Sequence, residues 1–463
     1  MSGIEKVAVI GLDCAEPSLV FEQWTDDLPN LRSLMNSGTY GHLTSCIPPI
    51  TVPAWSCMTS SCDPGKLGIY GFRNRADHSY DKLSIATSLA VREKRLWNLL
   101  TEQNKPSIIL GVPGTFPITR PIKGAMVTSF LTPGVESDYT WPASLKREIA
   151  DWVGEYMVDV RDFRTNDKQR LLDQIYEMTD KRFTVAERLL ASRPWSLFFM
   201  VEMGVDRIHH GFWSFMDPAH HRYTPNNPFE RAIHDYYVHV DRRIGKLLEH
   251  FDREKTAVFV VSDHGAKTMV GGFCFNQWLM QEGYLYMKQP PQKGERFDVK
   301  NVDWSRTSAW GEGGYYGRLF INVKGREPDG VVHQSEYESF RDALKAKIEA
   351  VLDHKEAPMG NVAHRPEDLY AEINGVSPDL ICIFGALRWR SVGSLGHDSI
   401  YTFENDTGPD DANHAQQGMY IFSHPSLEAA GRRDDAAIFD IAPTICKMLG
   451  VRGTDAMRGR SLC

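Results

Sequence analysis

Three carboxylates and three imidazoles of this chain stand at positions that could bind metal ions. Most of them directly follow short apolar runs that predict buried strands, and they are Asp13, Asp206, His210, Asp263, His264 and His414. A mixture of carboxylates and imidazoles suits zinc, with Mn²⁺ or Fe²⁺ also compatible. Six ligands are enough for two ions. Two divalent ions and three carboxylates leave a charge of about +1, which favours an anionic phosphate.

Thr51 stands where a helix is predicted to begin. Pro48 and Pro49 exclude a helix before it, whereas Val52 and Pro53 open an apolar run in which proline suits the first turn. Free N–H groups and the helix dipole favour an anion at such an end, so the Thr51 hydroxyl could meet a phosphate. Taken alone, a threonine at this position is more often an N-cap.

The first carboxylate follows the first predicted strand. Residues 7–10 are all apolar, as in parallel strands that are buried on both faces, and Asp13 comes soon after them. Open α/β sheets bind their ligands at this carboxyl edge of the strands. The alternative is that Asp13 caps the helix that residues 17–35 predict.

Asp206 and His210 follow the apolar run 195–201 and are four residues apart. On a helix they share one face, with Cβ atoms about 5–6 Å apart, so one cation could bind both. The same spacing occurs in two further pairs, Asp217 with His221 and Asp235 with His239. Pro218 argues against a continuous helix through the first of these, and the second lies within a long helical pattern where an exposed face is expected. The Asp206 pair is therefore the predicted ligand pair.

Asp263 and His264 end the third apolar run, residues 256–261. Gly265 lets the chain turn off the sheet edge, so that both side chains can approach one ion. The alternative is an Asx-turn with a surface histidine. His414 precedes another apolar run, and a lone histidine there would more often be structural.

Length and composition predict more than one ordinary hydrophobic core. The 463 residues fit one large domain with an appended cap, or two domains. The net charge of −8 argues against nucleic-acid binding and favours small-molecule partners. Residues 1–6 lack a signal-peptide pattern, and no stretch is long enough to span a membrane. The 8 cysteines lack CxxC spacing, as in reduced cytosolic proteins, so a cytoplasmic location is expected.

The pattern changes between residues 271 and 393. Glycines and aromatic residues alternate there, and only 318–323, 336–352 and 379–384 look regular. This predicts an inserted cap (271–393) beside a catalytic core of residues 1–270 and 394–463, and such insertions often select substrates. Its aromatic residues could stack a nucleobase or enclose a lipid or sugar headgroup, and they are Trp304, Trp310, Tyr315, Tyr316 and Trp389.

As an ordered set, the motifs resemble the alkaline phosphatase superfamily, and most closely its type I phosphodiesterase/nucleotide pyrophosphatase branch. The set comprises residues 7–13, 48–55 and 64–69, Asp206-x-x-x-His210, Ser262-Asp263-His264-Gly265, His414, and the ending 440–444 with 459–462. The resemblance implies an α/β fold: a three-layer sandwich around a mostly parallel central sheet, with an inserted smaller cap. It also implies two sets of metal ligands, Asp13, Asp263 and His264 with Thr51, and Asp206, His210 and His414.

The resemblance further implies that Thr51 is the nucleophile of a two-metal phosphate ester hydrolase. A cation lowers the pKa of the hydroxyl, Thr51 forms a phospho-enzyme, and water releases it. The helix amides around residues 52–54 would stabilise the transition state. Phosphodiesterases of this type carry an asparagine after the nucleophile that contacts the phosphate. This chain has Phe72 at that place, and Asn74 is the nearby candidate for the contact.

Other members of the superfamily fit less well. A sulfatase needs Cys or Ser in a C/S-x-P-x-R frame, where this chain has Thr51-Val52-Pro53-Ala54-Trp55. A cofactor-independent phosphoglycerate mutase would use serine, and phosphoethanolamine transferases need membrane-spanning helices. The alternatives that remain are a phosphomonoesterase or phosphonate hydrolase, and a non-catalytic metal-binding relative. The substrate and the oligomeric state stay open.

Overall fold

In the computed structural model, which describes residues 3–427 and 429–463, the chain surrounds one ten-stranded sheet. The prediction that residues 1–6 lack a signal peptide concerns residues 1 and 2 as well, and these two lie outside the described residues. The strands of the chain are β1 (Lys6–Leu12), β2 (Gly38–Thr44), β3 (Arg73–Arg75), β4 (Leu83–Ile85), β5 (Ser107–Leu110), β6 (Gly124–Val127), β7 (Thr140–Trp141), β8 (Leu197–Glu202), β9 (Thr256–Val261), β10 (Gly265–Thr268), β11 (Gly271–Cys274), β12 (Glu295–Arg296), β13 (Ala309–Glu312), β14 (Gly317–Ile321), β15 (Val362–His364), β16 (Leu380–Ile383), β17 (Trp389–Val392), β18 (Ser394–Leu395), β19 (Tyr401–Thr402), β20 (Ala412–Ala415), β21 (Gln417–Ser423), β22 (Gly431–Arg432) and β23 (Ala436–Ala437).

The helices lie beside this sheet and within the inserted region of residues 271–393. They are α1 (Pro29–Asn36), α2 (Thr51–Ser60), α3 (Pro64–Leu67), α4 (Leu96–Glu102), α5 (Leu145–Val153), α6 (Lys168–Ser192), α7 (Gly204–Met216), α8 (Ala232–Leu248), α9 (Phe275–Gln281), α10 (Tyr337–Glu349), α11 (Pro366–Leu369) and α12 (Ile441–Met448). The helix predicted over residues 17–35 is instead a π-helical segment, a 3₁₀ turn and α1, so that prediction was wrong in its continuity. No helix in the described part of the chain is both long and apolar enough to cross a membrane.

The centre of the sheet is parallel and its edges are not. The strand order is β22-β2-β21-β9-β1-β8-β5-β6-β7, with β23 beside β2. β1 pairs in parallel with β8 and β9, β5 continues this arrangement, and β21 and β7 run antiparallel to their neighbours. Because β9, β1 and β8 are adjacent and parallel, they end at one edge of the sheet.

Alternation along β1 explains the layers. Ala8, Ile10 and Leu12 pack into one hydrophobic core with helices α1 and α5–α8, whereas Val7 and Val9 pack into a second core with α2, α4 and α12. A strand that is apolar on both faces requires cover on both faces. The fold is therefore the predicted α/β sandwich of three layers around a mostly parallel sheet.

The chain between β10 and β20 builds a smaller unit beside this sandwich. It holds a four-stranded antiparallel sheet in the order β13-β14-β16-β15 and its own hydrophobic cluster, which runs from Phe273 to Trp389. The expectation that only three of its segments are regular was wrong, because α9, β11, β13, β15 and β17 are also regular. These elements are short and rich in glycine and aromatic residues, so they carry little periodic signal.

A close contact inside the sandwich gives the first prediction. A Cβ atom on Gly11 would lie 2.5 Å from the Trp55 ring and 2.9 Å from the Val201 side chain, and all three residues are buried. We expect Gly11→Ala to lower the free energy of unfolding by about 1–3 kcal/mol, because the packed surroundings cannot move without strain. The melting temperature measured by circular dichroism checks this.

Gly134→Ala is the matched control, because a Cβ atom there meets nothing within 4 Å. A melting temperature for Gly11→Ala that equals those of the wild type and of this control would contradict the proposed packing constraint.

Candidate functional site

Three buried carboxylates meet where the central strands end. Asp13 follows β1, Asp206 follows β8 and Asp263 follows β9, and the register pairs Leu12 with Glu202 and Gly11 with Val261. All three carboxylates are at most 2% exposed. The parallel pairing of the strands thus places three negative charges together at one buried edge.

Asp206, His210 and His414 form one compact group of candidate ligand atoms. His210 Nε2 lies 3.2 Å from Asp206 Oδ1 and 3.3 Å from His414 Nε2, and His414 Nε2 lies 3.8 Å from Asp206 Oδ1. Ligands at 2.0–2.1 Å from a tetrahedral zinc ion lie about 3.3 Å from one another. The three atoms therefore have the spacing that one such ion requires.

The Nδ1 atoms of both imidazoles in this group have hydrogen-bond partners that fix the orientation of the rings. Asp410 Oδ1 lies 2.7 Å from His210 Nδ1, and the Pro49 carbonyl oxygen lies 2.9 Å from His414 Nδ1. Such partners hold the histidine tautomer that directs the free Nε2 towards a metal. Sequence reasoning missed Asp410, because it lies in a polar, turn-rich stretch where one aspartate resembles the next.

Asp13, Asp263, His264 and Thr51 form the other group. His264 Nε2 lies 3.3 Å from Asp263 Oδ2, 3.8 Å from Asp13 Oδ1 and 3.4 Å from the Thr51 hydroxyl oxygen. Trp55 Nε1 donates to Asp13 Oδ2 at 2.7 Å. The Cys14 N–H donates to Asp263 Oδ1 at 3.3 Å, whereas Asp13 Oδ1 and Asp263 Oδ2 have no hydrogen-bond partner within the described chain.

Unpartnered buried oxygens of this kind need an explanation. A buried carboxylate without a counter-charge is strongly disfavoured, so such groups are normally paired or bind metals. Burial raises the pKa of Asp13 well above its usual range, and the charge of Asp206 raises it further. Burial and the charge of Asp13 do the same to the pKa of Asp263. A cation between these oxygens would offset both effects by its positive charge, so this donor set fits a divalent metal ion.

The pKa of Asp206 shifts in the opposite direction from those of Asp13 and Asp263. Burial would raise the pKa of Asp206, but His210 and Arg207 hold it well below its ordinary value. Burial lowers the pKa of His264 to about 4 and holds the pKa of His414 well below its usual value. Both imidazoles are therefore neutral near pH 7 and have a lone pair for a metal ion.

Asp206 lies between the two groups. Its carboxylate is within 4.8 Å of candidate ligand atoms of both, together with Cys14 on one side. The Cys14 thiol donates to the Gly265 carbonyl oxygen at 3.4 Å, and burial raises its pKa well above the usual value. Cys14 is thus a buried thiol beside the candidate ligand atoms of Asp206, His210 and His414.

Thr51 is the first residue of α2, and Ile50 precedes it in an extended conformation. The expectation that the amides of residues 52–54 face the site needs correction. Pro53 has no N–H, and the Ala54 N–H donates to the Ile50 carbonyl oxygen at 2.9 Å. Among these three residues, only the Val52 N–H has no acceptor in the described chain.

Phe72 and Asn74 occupy different places. Phe72 lines a cavity of about 430 Å³ that also contacts Thr51, Asp206 and His414. Asn74 is buried, its Oδ1 accepts from the Tyr70 N–H at 2.8 Å, and its Nδ2 donates to the Gly71 carbonyl oxygen at 3.1 Å. Both polar atoms of Asn74 thus hold the loop, and Asn74 does not line the cavity.

The two other pairs with Asp-x-x-x-His spacing have separate partners. Asp217 accepts hydrogen bonds from Trp213 Nε1 and from the Thr268 hydroxyl. Asp235 contacts Arg231 and His234, while His239 pairs with Asp180. Neither pair belongs to the two groups of candidate ligands described above.

Only part of the aromatic set in residues 271–393 reaches the cavity. Tyr315 stacks on His414 with ring centroids 4.2 Å apart, and Tyr316 lines the same cavity. Trp304 instead stacks on Tyr80 at 3.6 Å, and Trp310 and Trp389 belong to the local hydrophobic cluster. The β13–β14 hairpin thus brings a tyrosine directly onto a candidate ligand.

A known protein family and several solved structures resemble this chain. The family model of type I phosphodiesterase / nucleotide pyrophosphatase matches residues 7–410. No curated protein matches the sequence. Human ectonucleotide pyrophosphatase / phosphodiesterase 5 has a similar structure, with a TM-score of 0.55 and 12% identity over 97% of this chain and 96% of that one. An inactive variant of the murine protein, in complex with AMP, gives the same four values.

The two solved structures share the fold of this chain although only 12% of the residues are identical. The family model covers most of the chain. The model ends before His414, so the role of that residue depends on its geometry here. The chain belongs to the type I phosphodiesterase / nucleotide pyrophosphatase family of the alkaline phosphatase superfamily, and it is a hydrolase of phosphate esters.

Proposed function

We propose that this protein hydrolyses phosphodiesters with two divalent metal ions and a covalent intermediate on Thr51. The observation that carries the proposal is the group around Thr51, where a helix-terminal hydroxyl lies 3.4 Å from His264 Nε2 beside two carboxylate oxygens that lack partners. The family is one of two-metal enzymes, and the donor set fits that chemistry.

Each candidate group would hold one ion. Asp13, Asp263 and His264 would bind one with Thr51, and Asp206, His210 and His414 would bind the other, with zinc as the best match to this donor set. When bound, the ions supply charge that lowers the pKa of the threonine hydroxyl and stabilises the leaving oxygen. Mn²⁺ and Fe²⁺ are the alternatives by ligand type.

The protein residues carry out two displacements. In the first, Thr51 Oγ1 forms a bond to phosphorus, the bond from phosphorus to the leaving oxygen breaks, and the hydroxyl proton passes through solvent to the leaving oxygen. In the second, the water oxygen forms a bond to phosphorus and gives up a proton, while the Thr51 oxygen departs and regains one. The net reaction consumes one water and yields an alcohol and a phosphomonoester. The Val52 N–H at the start of α2 would donate to the phosphate oxygens.

The cavity supports a diester over a monoester. A diester keeps one organic group on phosphorus throughout the reaction, and this group needs its own space beside Thr51. The cavity supplies apolar walls for it from Phe72, Phe130 and Phe163. One structural neighbour, the murine ectonucleotide protein, binds AMP, so an aromatic group such as a nucleobase is a reasonable occupant here. A phosphomonoesterase or phosphonate hydrolase is the alternative.

Residues 271–393 would act as a cap over this cavity. The support is the position of Tyr315, which stacks on His210 and His414 and accepts from Arg164 at 2.8 Å. A cytoplasmic location stays a prediction from the sequence.

The nucleophile assignment gives a direct prediction. We expect Thr51→Ala to lower the turnover of bis-p-nitrophenyl phosphate by about a thousandfold or more, because the variant removes the hydroxyl that lies 3.4 Å from His264 Nε2 among the candidate ligands. The release of p-nitrophenol measures this, and mono-p-nitrophenyl phosphate, assayed in parallel, tests the preference for diesters.

Thr59→Ala is the matched control for this variant. Thr59 lies in the same buried helix, and its hydroxyl donates to the Trp55 carbonyl oxygen at 2.7 Å. Equal turnover by Thr51→Ala and Thr59→Ala would contradict the assignment of Thr51.

The ligand assignment gives a second prediction. We expect Asp206→Asn to lose at least one of two metal ions per chain, because the variant removes a charged ligand beside His210 and His414. Asp235→Asn should keep both, since that side chain is 53% exposed and pairs with Arg231. Elemental analysis by mass spectrometry measures the metal content. Full metal content in Asp206→Asn would show that Asp206 is not a ligand.

A further inference from the structure

The cavity above Thr51 is unusually rich in arginine. Six arginines line it, and Asp206 is the only carboxylate among the described residues that do so. The six are Arg73, Arg164, Arg207, Arg296, Arg318 and Arg390. A wall of this composition favours an anion over a neutral or cationic group.

Four of these arginines have carboxylate partners. Arg207 contacts Asp159 at 2.7 Å and also Asp206, and Arg318 contacts Glu312 at 2.8 Å. Arg164 and Arg390 share Asp410, at 2.9 and 3.4 Å. Four guanidinium groups thus share four carboxylates: Asp159, Asp206, Glu312 and Asp410.

Arg73 and Arg296 are different. Neither has a carboxylate within 4.0 Å in the part of the chain that the structure describes, and both are exposed. Arg73 begins β3, directly after Phe72, and Arg296 ends β12 in the inserted region. The cavity therefore carries two uncompensated positive charges, one contributed by the β3–β4 hairpin and one by the insertion.

Arg390 supplies a third donor. The residue is 4% exposed, lines the cavity, and its Nε has no hydrogen-bond partner among the described residues. Its contact with Asp410, at 3.4 Å, is long for a charged pair. A buried guanidinium N–H without an acceptor is disfavoured unless a ligand accepts from it.

We propose that Arg73, Arg296 and Arg390 form a subsite for a second phosphate on the substrate. This rests on the proposed function, in which Thr51 and the ligand groups receive the phosphate that reacts. The substrate is then a phosphodiester whose organic group carries a further phosphate. Arginine suits this task because its planar fork binds phosphate oxygens in pairs. A choline-type headgroup would face the unpaired guanidinium groups of Arg73 and Arg296 and is disfavoured by repulsion.

Three chromogenic diesters test the subsite with the full-length, metal-loaded chain. They are the p-nitrophenyl esters of thymidine 5′-phosphate, of thymidine 3′,5′-bisphosphate at its 5′ position, and of phosphocholine. We expect kcat/KM to be about tenfold higher for the bisphosphate ester than for the thymidine 5′-phosphate ester, as for one charge-assisted contact, and lowest for the choline ester. The preference should shrink as added salt screens the exposed charges.

Variants assign the preference to these residues. Arg73→Ala and Arg296→Ala should each remove most of the tenfold gain, measured as the ratio of kcat/KM for the bisphosphate ester to kcat/KM for the thymidine 5′-phosphate ester. The glutamine variants of both positions should behave alike, because they also remove the charge. Arg147→Ala is the matched control, since Arg147 is an exposed arginine in α5 that does not line the cavity.

A binding measurement separates this proposal from the proposed reaction. Titration calorimetry with thymidine 3′,5′-bisphosphate needs no turnover, and Arg73→Ala and Arg296→Ala should each weaken its binding about tenfold. Turnover of all esters without a preference for the bisphosphate would overturn the subsite and leave the reaction intact. Binding that depends on both arginines, without turnover of any ester, would support the subsite and overturn the reaction. Binding that is the same in all variants would overturn the subsite.

Discussion

The site depends on buried carboxylate oxygens that accept no hydrogen bond from the described part of the protein. Asp13 Oδ1 and Asp263 Oδ2 have no hydrogen-bond partner among the described residues, and both carboxylates lie at the ends of adjacent parallel strands. Burial of this kind is tolerated where a metal ion completes the site. The close packing of Gly11 against Trp55 helps to position the same carboxylate, because Trp55 Nε1 donates to Asp13. Trp55 also lies in the helix that begins at Thr51.

The two candidate groups are supported differently. The group around Thr51 comes from β1, β9 and α2, and the neighbouring Ile50 packs against Tyr316 and Tyr370 of the insertion. The group with His210 and His414 is braced by Asp410, by the Pro49 carbonyl oxygen and by Tyr315 from the inserted hairpin. The insertion therefore contacts one group and, through Arg296, the outer cavity. Under the proposed function, the sandwich would supply the candidate ligands and Thr51, and the organic group would be selected where the insertion meets the sandwich.

The sequence was most informative where function follows from local pattern. The strand at residues 256–261 and the helix that begins at Thr51 agree with their predictions, and so does the sandwich of three layers. Details that depend on side-chain direction were not accessible. Asn74 turns its amide to the backbone of its own loop, and Ala54 uses its N–H within the helix.

Long-range contacts were equally hidden. Nothing near Asp410 in the sequence indicates that it lies behind His210, two hundred residues away. Arg73 and Arg296 are far apart in the chain, and the fold brings both to the wall of one cavity. The predicted ligands could be proposed because most of them follow recognisable strands, whereas the arginines carry no such signal.

The stereochemical course at phosphorus tests the central claim most directly. Each in-line displacement inverts the configuration, so two successive displacements through Thr51 retain it. The measurement uses one diastereomer of the p-nitrophenyl ester of thymidine 5′-phosphorothioate in ¹⁸O-labelled water, with the product configuration determined by phosphorus NMR. Overall retention is the predicted result. Inversion would show direct attack by water and would contradict a covalent intermediate on Thr51.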